Sequence, residues 1–184
     1  MSSSSTAVGG GGAAVKLVVQ RCKGASLVLD NAEQRASIGR GLVAYISFTS
    51  AAEAFVEEKR DGPLLEKVAR AVLNLPMVTM GDWGDGTKPA SLIKLSASMP
   101  DAEIGVMIIP QAGITCKLKG KYIQYRGQCK KNTGAELYSA FCEKIAAEAN
   151  KKCPNVQMVF GTFGNRQGLT LEAGCGPFTH VFEF

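Results

Sequence analysis

Histidine is nearly absent from this chain, with one, His180, in 184 residues. A Ser-His-Asp or Cys-His catalytic set would have to use that single ring, and no G-x-S-x-G elbow is present to hold a serine. No G-x-G-x-x-G or Walker-type glycine loop occurs, which removes the usual phosphate cradles of nucleotide cofactors. The six cysteines, at 22, 116, 129, 142, 153 and 175, stand more than ten residues apart with no C-x-x-C pair. Zinc therefore finds no local chelate loop, and neither a metal nor another cofactor is expected. An acidic Asp82-x-x-Asp85 cluster lacks the spacing and terminal Glu of a calcium loop. So little side-chain chemistry implies that an enzyme built from this chain works by positioning its substrate and polarising it with backbone groups.

Long apolar runs are missing too. None approaches the roughly 18 residues of a membrane span, and residues 1–14, Ser-rich and then Gly/Ala-rich, lack the parts of a signal peptide. We read 1–14 as a disordered lead, 15–184 as one domain, and the cytoplasm as the location. Negative charge is absent from residues 104 to 135, where Lys117, Lys119, Lys121, Arg126, Lys130 and Lys131 stand interleaved with Tyr122 and Tyr125. Without those six cations the formal net charge of +5 disappears, leaving 15 basic against 16 acidic residues. A cationic segment with aromatic rings suits a phosphate backbone.

What is present reads as an α+β chain. Strands are expected at 15–22, 26–30, 42–48 and 104–109, the last two apolar enough to be buried on both faces. Helices are expected at 51–60, stopped by Asp61-Gly62-Pro63, at 64–75, and at 134–151, where Cys142 falls on the apolar face. Strands at 156–161, 168–171 and 178–184 complete a curved antiparallel sheet or small barrel with helices packed on it. The segment Gly174-Cys175-Gly176-Pro177-Phe178-Thr179-His180 joins two of those strands. A Gly-Pro step there presents bare backbone at close range.

Taken in order, Val18-Val19-Gln20-Arg21, Ile38-Gly39-Arg40-Gly41-Leu42, Leu73-Asn74-Leu75, Gly161-Thr162-Phe163-Gly164 and Gly176-Pro177-Phe178-Thr179 resemble the D-aminoacyl-tRNA deacylases over nearly all of 15–184. The resemblance implies hydrolysis of the ester between a D-amino acid and tRNA. It also implies a homodimer, with the Gly-Pro turn of one subunit reaching into the pocket of the other. Gly176, Pro177, Phe178 and Thr179 match the family's G-P-x-T and are implied to bind substrate, with Arg21 anchoring the turn. Gln111 matches the glutamine of its S-Q-x-T, so Gln111, Ala112 and Gly113 are implied to form the catalytic segment. The substrate's own 2′-hydroxyl would assist water, with no side-chain nucleophile. Pro110 and Gly113 replace the Ser and Thr of that motif, and Gly174 stands where an Asn precedes Gly-Pro. In these positions the chain is similar to the Animalia-type tRNA deacylase, which implies editing of small L-amino acids such as L-alanine as the alternative activity. A tRNA-binding homologue without catalysis, and a thiol hydrolase using Cys175 and His180, are the rival readings.

Overall fold

The structure is a computed structural model that describes residues 12–29, 34–81, 88–174, 176 and 178–184. Most of the expected lead and loop 82–87 lie outside these residues, as do Cys175, Pro177 and therefore the isomer of the Gly176-Pro177 bond. Ala14 is already buried, and Thr49 reaches the carbonyls of Ala13 and Ala14.

A five-stranded sheet runs in the order β10-β7-β4-β1-β12. Its strands are β1 (Val15–Cys22), β4 (Arg40–Phe48), β7 (Ile104–Pro110), β10 (Val156–Phe160) and β12 (Thr179–Glu183). A three-stranded sheet, β11-β2-β3, joins β11 (Gly168–Glu172), β2 (Gly24–Val28) and β3 (Arg35–Ile38). The expected antiparallel sheet is mixed: β4 pairs with β7, and β7 with β10, in parallel. The cause is the helical crossovers, since parallel neighbours need a long connection. α1 (Ala52–Glu57), α2 (Asp61–Asn74) and α3 (Leu92–Ser98) lie between β4 and β7, and α4 (Lys131–Lys152) lies between β7 and β10. Two short antiparallel pairs fill the remaining connections, β5 (Val78–Thr79) with β6 (Pro89–Ala90) and β8 (Lys117–Lys119) with β9 (Tyr122–Gln124).

Side-chain alternation divides the core in two. Leu42, Ala44 and Ile46 of β4 and Ile104, Val106 and Ile108 of β7 face α2 and α4. Val43, Met107 and Ile109 face the opposite way, onto Ala25, Leu27 and Ile38 of the smaller sheet. Both strands are thus buried on two faces, as their continuous apolar runs predict. The smaller sheet is reached through corners at Lys23 and Gly39. Next to the second corner a Cβ on Gly41 would stand 1.8 Å from the Gly105 carbonyl oxygen, so bare backbone is what allows β4 and β7 to meet there.

Candidate active site

The cleft forms where β7 ends. Pro110 is level with Ile46 of β4, and the Gln111 N–H donates to the Ile46 carbonyl at 2.9 Å, extending the ladder by one residue. The chain then folds into a single 3-10 turn, Ala112–Thr115. Oε1 of Gln111 accepts from the Gly113 N–H at 3.2 Å. Thr115 Oγ1 and Gln128 Nε2 donate to the Ala112 carbonyl at 3.1 and 2.8 Å. Ala112 supplies the first N–H of the turn, which has no acceptor inside it. A cleft of about 390 Å³ opens beside this turn, walled also by Phe48, Cys129, Lys131, Gly134 and Phe163. That volume suits a small substrate group.

Little on these walls can act as a nucleophile. Burial, followed by the negative charge of Glu53, pushes the Cys129 thiol up, so it stays protonated and weakly reactive. His180 on β12 stacks on Phe182 at a ring distance of 6.0 Å and meets the tilted ring of Phe178 at 5.7 Å. The implied Cys175 partner lies outside the described residues.

The second group of expected site residues lies at another corner. Gly176 has φ of +86°, a conformation suited to glycine, and its carbonyl accepts from the Phe178 N–H at 2.9 Å. Arg21 is only 4% exposed; its N–H donates to the Phe178 carbonyl at 3.3 Å and its guanidinium sits 4.9 Å from the Phe178 ring centre. Thr179 Oγ1 donates to Gln20 Oε1. None of Arg21, Gly176, Phe178 and Thr179 lines the Gln111 cleft. Ile46 is level with Pro110 and with Leu17, which is level with Phe182. From Pro110 to the Phe178 turn is therefore three strand spacings across and four residues along, about 14 and 13 Å, or roughly 20 Å in all. One chain does not unite the two halves.

The basic residues divide similarly. Lys117, Lys119 and Lys121 are exposed on the β8–β9 hairpin, and Arg126 on the leg that returns from it. Lys131 lines the cleft, whereas Lys130 pairs with Glu53 at 3.6 Å. Cross-strand register puts Lys117, Lys119 and Tyr122 on one hairpin face and Leu118 with Ile123 on the other. Sequence reasoning missed Gln128 and Cys129 as cleft residues. Phe163 had a signal, since it belongs to the Gly161-Thr162-Phe163-Gly164 stretch.

Fold and cleft together define an α+β protein whose cleft is walled by a capped backbone turn. The chain belongs to the D-Tyr-tRNA(Tyr) deacylase family, whose profile matches residues 18–183. It is 37% identical over 179 residues to D-aminoacyl-tRNA deacylase 2 of Homo sapiens, covering 92% of this chain and 94% of that one. The protein of that name from Danio rerio is 30% identical over 178 residues, covering 92% and 98%. A solved structure described as "a probable eukaryotic D-amino acid tRNA deacylase" superposes with a TM-score of 0.73 at 26% identity, covering 92% of this chain and 99% of that one. The c-Myc DNA Unwinding Element Binding Protein shares the fold at 24% identity and a TM-score of 0.67, covering 92% and 98%. Among the described residues no helix is long and apolar enough to cross a membrane.

Proposed function

We propose that the protein hydrolyses the ester of D-aminoacyl-tRNA, releasing the free D-amino acid and tRNA, as a homodimer in the cytoplasm. The observation that carries the mechanism is the capped turn. With Gly113 N–H held by Gln111, the Ala112 N–H is left to meet the ester carbonyl oxygen as it gains charge. Water adds to the carbonyl carbon, assisted by the 2′-hydroxyl of the terminal adenosine. The bond to the 3′-oxygen then breaks, and that oxygen takes up a proton. Gly176 and Pro177, from the partner subunit's turn, hold the α-amino group with backbone carbonyls and leave no room for an L side chain. Lys117, Lys119, Lys121, Arg126 and Lys131 take the tRNA backbone. Lys130, engaged with Glu53, contributes less.

A second reading, editing of small L-amino acids on tRNA, is favoured by one feature. Gly113 stands where the motif has a threonine, and a Cβ there would only touch Gln111 Oε1 at 3.4 Å, so no side chain at 113 narrows the approach. Deacylation of D-tyrosyl-tRNA, L-tyrosyl-tRNA and L-alanyl-tRNA with a threonine acceptor stem separates the readings. Fast loss of the D-ester supports chiral proofreading, and preferential loss of the L-alanyl ester supports the second reading. Stability of all three at high enzyme concentration rules out both.

A further inference from the structure

We propose that Gln128 is a positioning residue that holds the Ala112 turn in its catalytic orientation from outside the turn. The inference rests on the reading of Ala112 as the oxyanion donor.

Two of the three side-chain ties on the turn come from its own residues: Gln111 caps the Gly113 N–H, and Thr115 Oγ1 donates to the Ala112 carbonyl at 3.1 Å. Both move with the turn. A third side-chain hydrogen bond reaches the turn from beyond 111–115, from Gln128 Nε2 to the Ala112 carbonyl at 2.8 Å. Gln128 is itself fixed to the end of β4. It forms an isolated antiparallel bridge with Thr49, the Gly127 carbonyl accepts from the Ser50 N–H at 3.1 Å, and the Cys129 N–H donates to the Phe48 carbonyl at 3.2 Å. β4 also supplies the Ile46 carbonyl that receives the Gln111 N–H. Turn and latch therefore refer to the same strand, and their relative position does not depend on the hairpin between them. The two legs pass closely, since a Cβ on Gly127 would lie 2.7 Å from the Thr115 carbonyl oxygen.

The physical requirement is strict. An oxyanion donor acts at roughly 2.7–3.1 Å from the developing charge, and a misplacement of about 1 Å costs on the order of 100-fold. A four-residue 3-10 turn has too few internal bonds to guarantee that alone. Gln128 supplies the missing constraint without having to touch the substrate.

Gln128→Ala is expected to lower kcat about tenfold, with KM and melting temperature near wild type. Gln128→Glu provides the discriminating readout. Its carboxylate cannot donate to the Ala112 carbonyl, but its protonated form can, so the variant's kcat relative to wild type should rise as pH falls from 7.5 to 5. The charged groups beside it, Lys131 and the Glu53–Lys130 pair, are common to both proteins; their direct effect on the reaction divides out of the ratio, and their field sets the pH at which the new carboxyl titrates. An effect confined to KM, or a ratio flat in pH, overturns the proposal. A substrate-free measurement keeps it separable from the function. In Gln128→Glu the carbonyl-carbon resonance of Ala112 should follow the titration of the new carboxyl group. If the wild type hydrolyses none of the three esters, the proposed function fails and this resonance still decides whether Gln128 holds the turn: movement upholds the latch, and a stationary resonance refutes it.

Discussion

The backbone of Ala112 is open to a test that leaves every side-chain contact in place. Proline has no N–H, and it is tolerated at the first position of a helical turn. The residue before it must be extended, and Gln111 already is, at φ −137° and ψ 99°. Ala112→Pro should therefore keep the fold and its melting temperature while lowering kcat by about 100-fold. Single-turnover deacylation checks this, and an unimpaired variant would remove Ala112 from the mechanism. Gly41 has the opposite character, a structural role with no chemistry. The Cβ of Gly41→Ala would fall 1.8 Å from a backbone oxygen, which cannot rotate aside. Parting β4 from β7 at that point should cost roughly 3 kcal/mol or more, read as a lower denaturation midpoint.

Among the elements, the β8–β9 hairpin is the most separable. Leu118 and Ile123 are 78% and 59% exposed, and neither belongs to either core cluster. Reversing Lys117 and Lys119 to Glu should leave stability and kcat unchanged, raise KM, and flatten the salt dependence of tRNA binding by about 1.5–2 in log-log slope. On α4, burial pushes the Cys142 thiol up to about 11 from an ordinary 9.0. A raised folded-state value favours the protonated thiol. Its contribution is complete below pH of about 9 and is lost as pH rises toward 11, with Cys129 and Cys153 shifted in the same direction. Denaturant titrations between those pH values should show stability falling, with a shallower fall in Cys142→Ala. Legibility in the sequence followed the same division. β4, β7 and α4 were readable because long apolar or periodic stretches meet a core on the expected side. Asp61-Gly62-Pro63 was misread as a stop: Pro63 sits in the first turn of α2, where its missing N–H costs nothing. α3 has seven residues and β3 four, too short for a periodic signal, and the hairpin's Lys-Leu-Lys alternation faces no core at all. The Gln111 turn was legible through its motif. The bond from Gln128 was not, because it joins residues 16 apart across a hairpin and leaves no pattern in the chain.

For the whole molecule, the decisive fact is that the two halves of the expected site are about 20 Å apart in one chain by strand spacing and rise. Under the proposed function, the Ala112 N–H and the Gly176 carbonyl that serve one substrate come from different subunits. This can be tested without seeing the dimer. Ala112→Pro removes the donor from its own cleft and leaves its turn intact. Gly176→Ala places a side chain at φ +86°, disturbing its own turn and sparing its cleft. Each homodimer has two defective sites. A mixed dimer under two-fold symmetry has one site with both defects and one with none. Equal mixing after reversible dissociation gives half mixed dimers, each with one of two sites restored, so activity should return to about one quarter of wild type. Recovery should require subunit exchange, and cross-linking the homodimers beforehand should abolish it. If the site were complete within one chain, the mixture would show only the average of two impaired enzymes, and the cross-subunit arrangement would be wrong whatever the oligomeric state.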